Sequence, residues 1–399
     1  MLSATARTWR EDRLEKILAH EAQEKRRDFI DDNKINSVLE ETKNPAPEKI
    51  RNILAKAKTC VGLTPKEAAV LLNTTQSELW EEIYAVAHHI KQEIYGNRIV
   101  LFAPLYISSA CVNNCVYCGF RESNTDVKEE RLTMEQLEKE VQALVSKGHK
   151  RLIVVYGEHP DSDVDFMCQS IEKIYATKNG RGEIRRVNVN AAPLFVDEYR
   201  QLKEVGIGTF QVFQETYHHA TYDRMHPRNT LKNSFTWRLF SLHRAQEAGI
   251  DDVAIGALFG LYDWRFEVLG LLYHAYDLER EFGVGPHTIS FPRLQPAENT
   301  PYATNSSYLV SDENLKQLVA VLRCAVPYTG LILTARERPE VRREVIPVGI
   351  SQIDAGSRIA IGGYEQMEQE HLPVGIARGR ECALAPFVRS RQWRCVSRR

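Results

Sequence analysis

Long apolar runs are missing from this chain, and none reaches the roughly 20 residues that cross a bilayer. A membrane-spanning helix is therefore excluded as its organising feature. Net charge is missing too: 52 Lys and Arg face 53 Asp and Glu, a balance of −1. That leaves no whole-protein case for nucleic acid or an anionic membrane as partner. Cysteine is sparse, eight in 399 residues, which excludes the disulfide framework of a small secreted chain. Two separated CxxC or CxxH pairs, the usual frame of a structural zinc site, are also absent. The first 27 residues are too charged for a secretory signal. Met1 to Arg10 has the composition of a short organellar leader, but Glu11 and Asp12 follow, and an ordinary terminus is the better reading. Hydrophobic residues at 43% and charged residues at 26% supply the core of an ordinary globular protein. The length allows one large α/β domain with appendages, or two ordinary ones.

What is present is concentrated. Cys111-Val-Asn-Asn-Cys115-Val-Tyr-Cys118 puts three of the eight cysteines within eight positions, on a loop that leaves the apolar run Ile99–Ile107. A tight trio standing alone suits an iron–sulfur cluster that takes thiolates on three irons and leaves the fourth open. The competing readings are a three-cysteine zinc site completed by histidine, or three buried thiols. With Tyr117 directly before the last cysteine, the stretch resembles the signature of radical S-adenosylmethionine (SAM) enzymes. That resemblance implies a 4Fe-4S cluster on Cys111, Cys115 and Cys118, with SAM chelating the open iron and yielding a 5′-deoxyadenosyl radical. An exposed cluster would need the reducing cytoplasm of an anaerobic cell.

Residues 1–95 read as a helical extension, with Leu39, Ile50, Leu54, Leu71, Ile83 and Val86 at helical intervals. It is expected either to cover one end of the domain that follows or to pack generically. From Ile99 onward, short β-rich runs alternate with amphipathic stretches. The strands are expected at 99–107, 151–156, 184–190, 209–215, 252–258, 287–294, 331–336 and 350–354. Eight strands with crossovers between them predict an α/β fold of the closed (βα)8 TIM-barrel type over 96–372, its site at the carboxyl ends of the strands. The helix closing the eighth unit is hard to find. Residues 373–399 read as an irregular Arg-rich tail; the last 24 hold seven arginines and one acid.

Strand ends name the site candidates. Gly157 and Glu158 follow the second strand, where radical SAM enzymes often carry a Gly-Gly-Glu-like turn that holds the SAM amino group. This chain has Tyr156 at the first position, and a plain strand-ending turn is the alternative. If the third strand turns its valines outward, Arg186, Asn188 and Asn190 face the lumen, to hold a carboxylate or ribose or to form a polar network among themselves. Glu215, Tyr217 and His218 end the fourth strand, near the substrate or merely capping the barrel edge. Arg293 and Arg336 could clamp a substrate carboxylate, or pair with acids such as Glu337. His287 lies at the start of its strand and ranks below them. Cys60, Cys168 and Cys324 read as buried small hydrophobes.

Ile107–Phe120, Ile184–Asn190, Phe213–His218, Phe259–Arg265 and Gly283–Ser290 make the resemblance closer. They are similar to the radical SAM tyrosine lyases of FeFe-hydrogenase maturation (HydG-type), over roughly residues 30–370. The resemblance implies hydrogen abstraction from L-tyrosine and Cα–Cβ cleavage to p-cresol and dehydroglycine, which serves H-cluster assembly. It implies Tyr117, Gly157, Glu158, Arg186, Asn188 and Asn190 around the cofactor, and Glu215, Tyr217, Arg293, Arg336 and His287 around tyrosine. A low-potential electron donor and other maturation proteins are the partners it implies. The thiamine-pathway tyrosine lyase (2-iminoacetate synthase) and a non-catalytic iron–sulfur scaffold are the rivals. That family also carries a C-terminal CxxC pair and a further cysteine for a second cluster. Here no CxxC follows Cys118, and only Cys382 and Cys395 lie in the tail. A second cluster, and carbon monoxide and cyanide formation, are not expected of this chain.

Overall fold

The computed structural model describes residues 2–297, 299–358, 360–365 and 394–395. Five helices come first: α1 (Ala4–Glu21), α2 (Asp32–Glu41), α3 (Pro47–Ala57), α4 (Pro65–Leu72) and α5 (Ser77–Tyr95). The start of α4 is local chemistry. Thr64 and Glu67 form a reciprocal capping box and Pro65 occupies the first turn.

β1 (Arg98–Ser108) then opens a closed parallel barrel. α6 (Met134–Ser146), β2 (Arg151–Tyr156) and α7 (Val164–Ala176) follow, then a small hairpin, β3 (Lys178–Asn179) and β4 (Gly182–Glu183). Next come β5 (Arg186–Asn190), α8 (Val196–Val205), β6 (Phe210–Gln211), α9 (His219–Met225), α10 (Phe235–Leu239), α11 (Ser241–Glu247) and β7 (Val253–Gly256). The rest are α12 (Trp264–Phe282), β8 (Thr288–Ser290), α13 (Tyr302–Asn305), α14 (Asp312–Ala325), β9 (Gly330–Leu333), α15 (Pro339–Gly349) and β10 (Gln352–Asp354).

Strands β1, β2, β5, β6, β7, β8, β9 and β10 pair in that order, and β10 pairs back to β1, so the ring has eight members and no edge. Its outward faces are the core. Val187 and Val189 of β5 and Leu105 and Ile107 of β1 are sealed against the helices, which turns Arg186, Asn188 and Asn190 inward. Between β9 and β10 stands α15, whose Pro339 start and internal Pro347 hide it from a periodicity reading.

The N-terminal helices do not act as one cover. Helices α2, α4 and α5 pack sideways on α12, α14 and α15, on the outside of the barrel, and α1 lies across the carboxyl-end rim. Past β10, Tyr364 donates its hydroxyl to the Pro104 carbonyl at 2.6 Å, and its backbone N–H donates to the Glu140 carboxylate. β11 (Arg394–Cys395) lies parallel beside the start of β1. The remainder of the Arg-rich tail, with Cys382, lies outside the described residues.

Candidate active site at the carboxyl rim of the barrel

The three cysteines sit on the loop that leaves β1 at the carboxyl rim, the face where barrels place chemistry. All three are free thiols, Cys115 buried and its two companions half-buried. Burial pushes the thiols up, Cys115 to about 12 and Cys118 to about 11, and the Lys232 ammonium opposes that in each. Three free thiols on one loop at this rim suit a cluster that takes its thiolates on separate irons.

Backbone contacts tie this loop to the end of β2. The Val112 N–H donates to the Glu158 carbonyl at 2.8 Å. At Gly157 a Cβ would stand 2.1 Å from the Ala110 carbonyl oxygen, so only glycine lets the two segments approach. Tyr156, the departure from the usual turn, points the other way and bonds the Ser170 hydroxyl at 2.6 Å in the helical layer. Its difference falls outside the site.

Glu158 is the most informative residue. It is 8% exposed, and its Oε2 accepts from Asn113 Nδ2 at 2.6 Å. Its Oε1 is buried with no partner. A buried carboxylate oxygen without a donor is costly, and a cationic group of a bound ligand is what would relieve it. Burial pushes the Glu158 carboxyl up, and Arg13 and then Asn113 oppose it.

Opposite, Glu215, four residues past β6, has φ +72°, a strained setting for a non-glycine residue. Lys232 Nζ donates to its Oε1 at 2.7 Å and Arg238 at 3.3 Å. The Lys232 backbone N–H in turn donates to Asn113 Oδ1 at 2.9 Å. Tyr117 shares a 2.8 Å hydrogen bond with His226 Nε2. His226 Nδ1 lies 2.9 Å from the Tyr222 carbonyl, which can only accept, so Nε2 receives the phenol proton. Burial lowers His226 well below the usual range, keeping the ring neutral. Glu267 on α12 holds the following turn through the Thr216 hydroxyl and the Tyr217 N–H, and burial raises its carboxyl to about 8.

Asn113, Lys232, His226, Arg238 and Glu267 were not among the sequence-derived candidates. Asn113 could have been, because it stands inside the cysteine trio.

The other candidates divide by height and facing. Asn190 lies half-buried at the upper end of β5. Arg186 and Asn188 occupy the lower end. There Arg186 donates to Thr209 and Asn188 and pairs with Asp252, which also meets His287 Nδ1 at 3.5 Å. That polar network, with His287 in it, is at the opposite end from the cysteines.

Tyr217 faces outward. Its hydroxyl meets His274 Nδ1 at 2.9 Å, and its ring fills the space where a Cβ on Gly270 would be. His218 caps α9 and stacks on Tyr262 at 3.8 Å.

Arg293 is fully engaged, by Glu337, by Asp312 at 2.9 Å and by the Val310 carbonyl at 2.9 Å. Arg336 is exposed, and among the described residues its side chain bonds Thr334 alone, at 3.4 Å through Nε. Burial pushes the Tyr106 phenol and the Asp354 carboxyl up, and the Arg336 charge opposes both, which puts it at the mouth beside β1 and β10. Cys324 is fully buried, whereas Cys60 and Cys168 are half-buried.

Comparison with known proteins agrees with the fold. The family described as the radical SAM superfamily matches residues 105–268, and the biotin and thiamin synthesis associated domain matches residues 290–373. A 2-iminoacetate synthase of Escherichia coli K12 is 32% identical over 310 residues, 77% of this chain and 79% of that protein. A crystal structure of HydG, a maturase of the [FeFe]-hydrogenase, superimposes with a TM-score of 0.83 at 52% identity, covering 86% of this chain and 75% of that one. HydG from Carboxydothermus hydrogenoformans gives 0.78 at 42% identity, over 83% and 76%.

Proposed function

Since the chain belongs to the radical SAM superfamily, whose members bind a 4Fe-4S cluster and SAM, we propose that it is a tyrosine lyase of the hydrogenase-maturase type. The reaction is cleavage of the Cα–Cβ bond of L-tyrosine to p-cresol and dehydroglycine, in the service of H-cluster assembly. The cluster and SAM, when bound, supply the hydrogen-abstracting radical.

Everything else falls to the chain's own side chains. Cys111, Cys115 and Cys118 offer three thiolates at the barrel rim. Glu158 offers Oε1 to the SAM ammonium, with Asn113 fixing the carboxylate by its other oxygen. Lys232 puts a positive charge among the thiolates and fixes Glu215 at 2.7 Å. Arg336, with its terminal nitrogens unengaged among the described residues, is the side chain for the tyrosine carboxylate, since Arg293 is already spent on Glu337 and Asp312. Asn190, at the carboxyl end of β5, suits a ribose or carboxylate contact. A low-potential electron donor and other maturation proteins are the expected partners.

The observation that carries the reading is a buried carboxylate oxygen without a donor beside three free thiols, in a barrel 52% identical to a HydG maturase. The likeness to 2-iminoacetate synthase favours one alternative, the thiamine-pathway lyase, to which the resemblance gives the same cleavage.

The test is anaerobic reconstitution with iron and sulfide, followed by reductant, SAM and tyrosine. p-Cresol and deoxyadenosine together support the reading. Deoxyadenosine without p-cresol overturns it. Cyanide and carbon monoxide, assayed alongside, report whether dehydroglycine is converted further.

A further inference from the structure

Helix α1 lies across the rim beside Glu158, and its docking stripe is unusual. Ala6, Trp9, Arg13 and Ile17 recur at helical spacing. Ala6 and Ile17 are buried against Val112 of the cysteine loop, Leu231 beside Lys232, and Trp237. A helix docked for packing alone would carry an apolar residue at position 13, because a buried charge is costly unless paired. Arg13 is only 12% exposed there.

Its partner is Glu198 at the start of α8. The guanidinium forks onto that carboxylate at 2.8 and 3.0 Å, and the same carboxylate caps α8 by accepting from the Phe195 N–H at 2.8 Å. Arg13 Nε is buried without a partner. In front of the pair lies a cavity of about 230 Å³, walled by Trp9, Arg13 and Lys16 on the helix side and by Gly157, Glu158 and His159 on the barrel side. At its other end α1 is held by Glu21, which accepts from the Ser234 and Thr236 hydroxyls. Its main packing partners are short elements, α10 and the turns at 160–162 and 231–233, and polar contacts close it at Arg13 and Glu21, so it opens at lower cost than the barrel itself.

From this geometry we propose that α1 is a removable cover over the Glu158 side of the cofactor pocket. It is closed by Arg13 on Glu198, and Arg13 is the positioning residue that sets how tightly SAM is held. The inference rests on SAM binding at Glu158. A ligand held under a closed cover binds more weakly in proportion to the time the cover is open.

The cover carries its own reporter, because Arg7, Arg10, Arg13 and Lys16 are trypsin sites within α1. The experiment uses the full-length reconstituted protein, anaerobically, as wild type, Arg13→Gln and Glu198→Gln. Glutamine at 198 keeps an oxygen for the Phe195 N–H while losing the charge. Each preparation is cut with trypsin with and without SAM, and its SAM dissociation constant is measured by equilibrium dialysis. Saturating SAM is expected to slow cutting within α1 of the wild type. Both variants are expected to be cut faster and to bind SAM roughly tenfold more weakly, with iron and sulfide per chain unchanged. If both bind SAM as the wild type does, or SAM leaves cutting within α1 unaltered, the cover is overturned while the cofactor reading stands. If cluster-loaded wild type binds no SAM at all, the reading of Glu158 falls, and the cover with it.

Discussion

Asn113 holds Glu158 by one oxygen, at 2.6 Å, and leaves the other buried and without a donor. A carboxylate fixed in this half-satisfied state is poised for a cation. Glu158→Gln is expected to weaken SAM binding by roughly ten- to a hundredfold, the worth of a charge-assisted hydrogen bond. Asn113→Ala should cost less, since it frees the carboxylate without removing it. Equilibrium dialysis of the cluster-loaded protein checks both, and an unchanged dissociation constant for Glu158→Gln would sink the assignment.

The two arginines should separate by readout. Arg336→Ala is expected to raise KM for tyrosine at least tenfold and to leave SAM binding and the melting temperature near wild type. Arg293→Ala leaves Glu337, 3% exposed, without its partner. It is expected to destabilise by about 3 kcal/mol, read as a lower melting temperature. The reverse pattern would return Arg293 to the substrate.

Lys232 places its charge beside three thiolates and bonds Glu215 at 2.7 Å. Loss of that charge disfavours the more negative reduced cluster. Lys232→Met should therefore lower the cluster potential by on the order of 50 mV. Potentiometry followed by electron paramagnetic resonance measures this directly, and a potential that does not move excludes the electrostatic role.

His219 lies between Asp28 and Asp32, 2.8 Å from each. Its hydrogen bonds to Asp28 and Asp32 raise it from 6.5 to about 9. A raised folded value means the stabilisation is fully present below about 6.5 and lost as pH rises through about 9. The segment joining α1 to α2 should loosen over that window. Hydrogen exchange across residues 28–32 at both limits reports it, and His219→Gln is expected to flatten the dependence.

Tyr217 should behave as a core residue. Tyr217→Phe removes a buried hydroxyl from His274 and is expected to cost about 1 kcal/mol, with KM for tyrosine unchanged. A tenfold rise in KM would bring Tyr217 back to the substrate.

Much of this was legible in the residues before any fold was known. The alternation in β5, with Val187 and Val189 sealed and Arg186, Asn188 and Asn190 inward, follows from the pleat alone. The cysteine trio sits on one short loop, so its spacing carries its chemistry. Harder to read was α15, because Pro347 and a short length blur its period.

Height along a strand was also hidden. Arg186 and Asn190 share a face and a strand, yet one joins Asp252 at the closed end and the other stands near the mouth. That difference depends on the register with β2 and β6, which a single sequence does not display.

The sequence by itself determined the things that short-range covalent spacing can carry: the barrel period, the three thiols in one loop, and the Gly157-Glu158 turn after β2. Tertiary structure alone decided which charges remain free to act. Glu337 lies 44 residues beyond Arg293 and takes its guanidinium, leaving Arg336 open. Lys232 comes from 119 residues past Asn113 to join the site. Ion-pair partners are chosen by distance in space and by the cost of leaving a buried charge alone, and neither quantity is written in the order of the residues.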